Sequence, residues 1–289
     1  MKYSKRSAAA AVIALCLLAA GCGSAAKDEH SQHAGGNAAE TAGNEHSGHS
    51  SHEQTTKSDL SDIKVEWRYS PERPKAGEET RIELFLYQPS GKPIEKYDIN
   101  HEKLMHLIVV NEDMTEFSHI HPEYKGKGKF EIVTSFAKSG SYKLFADIIP
   151  SGYSQMTITS QLKVSGAKQA EQPLEKDAAL LRTVDDVVAS LSLTSFQSGQ
   201  TVDLTFTLKD EKTQQPITDL QPYLGAIGHV VILSEDLNSY LHVHPKNINE
   251  SGPTAEFSTE FPAPGLYKIW GQFQREGKTF IVPFTIEVK

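Results

Sequence analysis

The spacing from His106 to His229 is 123 residues, and the same offset relates His119 to His242 and His121 to His244. Pro93 and Pro216, Asp113 and Asp236, Phe117 and Tyr240, and Pro122 and Pro245 keep it too. After a two-residue insertion, Phe136-x3-Gly140-x-Tyr142-Lys143 returns as Phe261-x3-Gly265-x-Tyr267-Lys268. A chain that repeats its apolar and turn residues in register must bury two equivalent cores. It therefore folds as two copies of one domain of ordinary size.

Within each copy, short alternating or apolar runs are punctuated by turn residues. The first copy offers IKVEWRY, TRIELFLYQ, LMHLIVV, FSHI, KFEIVTSF, GSYKLFADI and MTITSQLKV; the second offers DVVASLSLTS, TVDLTFTLKD, GHVVILS, SYLHV, TAEFSTEF, GLYKIWGQF and TFIVPFTIEV. Seven β-branched and aromatic runs per copy, with no convincing long helix, predict an all-β chain of two tandem immunoglobulin-like β-sandwich domains. The expected spans are 61–166 and 183–289. A polar linker at 167–182, partly helical in expectation, joins them.

The stretches HEKLMHLIVVNEDMTEFSHIHPE and GSYKLFADIIPSG, with YLGAIGHVVILSEDLNSYLHVHP and GLYKIWGQF in the second copy, resemble the YtkA-like domain of exported bacterial proteins. The resemblance covers nearly all of residues 62–289 as two copies. It implies an immunoglobulin-like β-sandwich, export, and a link to copper or heavy-metal handling. The second copy departs from the first where Leu224 replaces His101 and Gly228 replaces Met105.

The N-terminus places the protein. MKYSKRSAAAAVIALCLLAAGC has a basic start, an apolar core too short for a normal membrane span, and small residues before Cys22, which reads as a secretory signal over 1–21. LAAGC, Leu18 to Cys22, resembles a bacterial lipobox, implying cleavage after Gly21 and lipidation of the Cys22 thiol. The expected location is the extracytoplasmic face of the cell membrane. Cys16 then leaves with the signal and Cys22 carries lipid. With no further cysteine, disulfides, zinc–thiolate sites, iron–sulfur clusters and cysteine-ligated blue copper are excluded. Loss of the signal also removes three cationic side chains and no acid from a chain of net charge −8, which makes nucleic acid a poor partner.

Residues 22–60 read as a disordered tether, since they hold almost nothing apolar to bury. His30, His33, His46, His49 and His52 along it suit weak, exchangeable capture of Cu(II), Ni(II) or Zn(II) by neutral imidazole.

The remaining seven histidines all fall in the two repeated motifs. A hairpin centred between Glu112 and Asp113 sets Val110 opposite Thr115, Ile108 opposite Phe117 and His106 opposite His119. His121, two residues on, then shares their face. Three imidazoles so gathered suit copper or zinc, and His229, His242 and His244 repeat the set, giving one site per copy. His101 and the thioethers of Met105 and Met114 are further candidates in the first copy, the latter as ligands for Cu(I). The competing expectation is structural: His106 shares its face with Ile108, Val110 and Phe117, which places it on the core side. Tyr142, Tyr267, Phe145 and Trp270 are expected in the core, and Asp113 and Asp236 in turns.

No triad, phosphate loop, His-Glu-x-x-His helix or carboxylate pair stands out, so an enzyme is not expected. The leading expectation is a lipoprotein that binds copper or a related divalent metal as chaperone, buffer or sensor, with a membrane metal transporter or wall protein as its partner. The alternative is a non-catalytic surface interaction module with structural histidines.

Overall fold

The structure is a computed structural model that describes residues 63–167, 170, 172–243, 245–247 and 249–289. Cys22, the tether histidines and His244 lie outside the described residues. The described chain is all-β. Among these residues the linker forms no helix, in contrast to the expectation of a partly helical connection.

The first copy holds β1 (Lys64–Ser70), β2 (Glu79–Tyr87), β3 (Met105–Asn111), β4 (Phe117–Ile120), β5 (Glu123–Gly126), β6 (Lys129–Ser135), β7 (Gly140–Ile148) and β8 (Met156–Val164). The second holds β9 (Leu181–Val184), β10 (Val187–Leu193), β11 (Thr201–Asp210), β12 (Gly228–Ser234), β13 (Tyr240–Val243), β14 (Thr254–Glu260), β15 (Gly265–Arg275) and β16 (Lys278–Val288). Antiparallel sheets ordered β1-β2-β6-β5 and β4-β3-β7-β8 make the first sandwich; β14-β11-β10-β9 and β13-β12-β15-β16 make the second. The short strands β5 and β9 are additions to the seven expected in each copy. EYKG and LRTV carry too few apolar residues to signal a strand, and pairing with β6 and β10 supplies what their sequence lacks.

The described residues form one compact unit, and the burial pattern of β3 shows how. β2 alternates buried and open positions, whereas every residue of β3 is buried. Met105, Leu107 and Val109 point into the first sandwich beside Leu144, Ala146 and Ile148. Ile108 and Val110 point the other way, joining Phe145, Val231, Leu233 and Trp270 in a third core. That core is the seam between the two copies. The face shared by His106, Ile108 and Val110 is thus the inter-copy face and not the sandwich interior. Tyr142 and Tyr267 pack the sandwich cores as expected, but Phe145 and Trp270 pack the seam.

The seam has pseudo-two-fold symmetry. Phe117 of the first copy stacks on Trp270 of the second with ring centroids 4.7 Å apart, and Tyr240 of the second stacks on Phe145 of the first, also at 4.7 Å. Position by position these are the same contact made in both directions, as in an isologous dimer interface.

Candidate metal centre

The repeated hairpins carry the histidines to this seam. In the first, Ile108 pairs with His119 and Val110 with Phe117; in the second, Val231 pairs with His242 and Leu233 with Tyr240. Both registers are displaced by two residues from the expected pairing, so His119 does not stand opposite His106. The cause is the turn. Asn111 still pairs, its N–H donating to Glu116 O at 3.3 Å, and its side chain accepts from Glu116 N at 2.7 Å and donates to Asp113 Oδ1 at 2.5 Å. The four-residue loop therefore starts at Glu112, with Met114 in the left-handed region (φ 54°), matched by Leu237 (φ 57°) in the second copy. An even displacement preserves the faces, so the imidazoles still converge. Asp113 and Asp236 shape these turns, accepting from Thr115 and Asn238.

His106 is fully buried; its Nε2 donates to Asn100 O at 2.8 Å, and its Nδ1 lies 2.9 Å from His119 Nε2. His119 is 7% exposed, and its Nδ1 donates to Gln272 Oε1 at 2.8 Å, across the seam. Gln272 Nε2 faces Tyr223 Oη at 3.4 Å. The second copy mirrors this: His229 Nε2 donates to Tyr223 O at 3.0 Å, and His242 Nδ1 donates to Asp147 Oδ2 at 2.9 Å. Asp147 of the first copy thus holds His242 of the second, while Gln272 of the second holds His119 of the first. Asp147 also accepts from Tyr240 Oη and Thr157 Oγ1, at 2.5 and 2.6 Å.

The ligand atoms of His106, His119 and His121 all lie within 4.8 Å of one another. The ring of His121 sits 5.0 Å from His106 and 4.8 Å from His119, and its Nε2 is buried with no hydrogen-bond partner among the described residues. His101 (φ 45°) and Glu102 (φ 63°) form the turn that closes at Asn100 and Lys103, and the His101 ring reaches to 5.3 Å from His229. Six of the seven motif histidines therefore meet in one place. The first-copy set His106, His119 and His121 gathers as expected, and His101, His229 and His242 stand beside it, so the described histidines of both copies share one cluster on the pseudo-two-fold axis. Met105 is not part of it. As the neighbour of His106 along a strand it points to the opposite face, and its side chain is 1% exposed inside the first sandwich. Met114 packs in the apolar seam beside Leu237 and Trp270.

Burial favours the neutral form of His101, His106, His119, His121 and His229. It lowers His106 to about 4 and His121 to about 3, and depresses His119, His229 and His101 as well, with neighbouring imidazoles adding to the effect. Neutral rings are the ligating form.

One family model matches twice, at residues 57–166 and 182–289, and its description is a domain of unknown function, DUF8832. The chain belongs to the DUF8832 family. The match carries the tandem arrangement but not the YtkA-like name. No curated protein matches the chain in sequence. Among solved structures, the Escherichia coli adhesin FdeC shares 19% identity over 78% of this chain, at a TM-score of 0.26, and the DUF8832 pair spans 64% of that chain. Fibronectin(III)-like modules of Clostridium thermocellum CbhA share 15% identity over 78% of this chain and 94% of theirs, at a TM-score of 0.22. At such scores these likenesses assign no role to the DUF8832 pair.

Sequence reasoning missed Asp147, Gln272 and Tyr240. Each reads as an ordinary polar or aromatic strand residue. The one signal available was positional: after the insertion, Asp147 and Gln272 are equivalent, and both face the first histidine of their motif across the sheet.

Proposed function

We propose that the protein captures a transition-metal ion, copper or zinc, at the outer face of a bacterial membrane. The carrying observation is the 2.9 Å approach of His106 Nδ1 to His119 Nε2 while the other nitrogen of each ring is committed to an oxygen. Two neutral rings held this way aim lone pairs at each other. While both outer donor bonds are kept, a proton placed between the rings charges one of them, which burial opposes. A metal ion relieves the lone-pair repulsion for several nitrogens together. Its ligands gain basicity and a fixed tautomer from the oxygens on their far sides.

The rest of the reading comes from the sequence. A lipid on Cys22 anchors the chain, the tether histidines gather metal loosely, and the YtkA-like resemblance points to copper or heavy-metal handling, with a membrane transporter or wall protein as recipient. A second reading is favoured by the bonds from His119 to Gln272 and from His242 to Asp147, which cross the seam. On that reading the histidines only tie the two copies together in a surface interaction module.

Calorimetry separates the two, using the full chain with its five tether histidines replaced by alanine. Binding of Cu(II) or Zn(II) that His119→Ala abolishes supports metal capture. No binding of either ion, with clearly lower stability of metal-free His119→Ala, decides for the tying role.

A further inference from the structure

We infer that His106 and His119 of the first copy and His229 and His242 of the second form one closed, tetrahedral four-imidazole centre for a zinc-like cation, which staples the two copies. This rests on the metal-capture reading and specifies its ligands, its stoichiometry and its preferred ion.

The four ring centroids mark the corners of a tetrahedron. Between ring centroids, His106 lies 5.2 Å from His119, 6.3 Å from His229 and 5.4 Å from His242. His119 lies 6.0 Å from His229 and 5.6 Å from His242, and those last two are 5.9 Å apart. Six nearly equal edges enclose a point about 3.5 Å from each centroid. A ring bound at the usual metal–nitrogen distance of about 2.0–2.1 Å has its centroid about 3.2 Å from the ion. A contraction of about 0.3 Å per ring, with the second nitrogen of each ring turned to that point, closes the site on an ion.

The tautomers agree with the geometry. Each of the four rings donates through one nitrogen to an oxygen: Asn100 O, Gln272 Oε1, Tyr223 O and Asp147 Oδ2. For His106 and His119, which burial holds neutral, the other nitrogen is then the acceptor, and those two acceptors face each other. Outer partners of this kind orient metal-ligating histidines generally. His121, whose ring lies 5.0 Å from His106 and 4.8 Å from His119, has no oxygen among the described residues holding it from behind, and borders the centre instead. Four protein ligands leave no open coordination position, the pattern of a structural and not a catalytic zinc site. Tetrahedral imidazole ligation without thioether suits Zn(II) or Co(II) better than Cu(II), which prefers tetragonal geometry.

The test uses the full chain with the five tether histidines replaced by alanine, loaded with Zn(II) or Co(II). Expected are one ion per chain, the intense visible absorption of four-coordinate Co(II), and four imidazole nitrogens in the zinc X-ray absorption fine structure. That spectrum needs no substitution at the centre, so it stands even if a variant folds poorly. His242→Ala, in the second copy, should weaken binding by more than about 100-fold, as His119→Ala does in the first, because losing a ligand costs more than losing an outer partner. Zn(II) should raise the thermal midpoint of the parent chain and not that of either variant. Two ions per chain, three nitrogens with an oxygen, or unchanged binding in His242→Ala overturns the shared centre while leaving metal capture standing. Absence of any bound metal overturns both.

Discussion

Acid should destabilise the metal-free protein through His106, by an amount the structure sets. The ring is fully buried and its pKa falls from 6.5 to about 4. Between those values the unfolded chain holds a proton that the folded chain does not, so stability falls as pH falls and levels off below about 4. At 1.36 kcal/mol per pH unit, less the half-protonation reached at the folded pKa, the loss from pH 7 to pH 4 is about 3 kcal/mol for this ring alone. Urea unfolding in EDTA, followed by tryptophan fluorescence, measures it. His106→Gln keeps a donor near Asn100 O and removes the titration, while every group remote from position 106 titrates alike in both proteins. The parent should lose about 3 kcal/mol more than the variant between pH 7 and pH 4. Parallel profiles, within about 1 kcal/mol, would refute the claim that burial of a neutral ring is the cause.

Gly228→Met should destabilise the chain by about 1–3 kcal/mol in thermal or urea unfolding, because even a Cβ there meets the Phe273 ring at 2.6 Å and Gln272 O at 2.8 Å. In the first copy Met105 fills this space and Ile148 stands where Phe273 does, so adding Phe273→Ile to Gly228→Met should recover part of the loss. Cys22→Ser should move the chain out of the membrane fraction or block its processing; normal processing with unchanged membrane retention sinks the lipid anchor.

The strands were legible because each copy spells them by alternation, and duplication supplies two independent readings of every run. KFEIVTSF and GSYKLFADI lie almost where expected, as β6 and β7. The hairpin register was not legible, because Asn111 and Ser234 can end a strand or start a loop. Only the side-chain bonds of Asn111 to Asp113 and Glu116 settle that the loop starts one residue later. The seam was hidden for a different reason. LMHLIVV announces a strand buried on both faces, but a single sequence does not say whether the second cover is its own sandwich or another sheet. Phe117, Phe145, Tyr240 and Trp270 carried the answer as four aromatics on the histidine-bearing faces, and they look like core residues until the two copies are placed together. The histidine faces survived the register error because its displacement was even; an odd one would have scattered the cluster.

The fusion of the two copies into one chain changes what charge the seam can carry. A dimer of identical domains repeats every residue across its axis, so the charges it brings there come in even numbers. A dimer of the first copy would hold two carboxylates beside four imidazoles; a dimer of the second would hold none. Here Asp147 stands on one side and Gln272 on the other, and the count is odd. A single chain can therefore set one negative charge against a divalent ion in a buried site, a balance that symmetry denies to either homodimer.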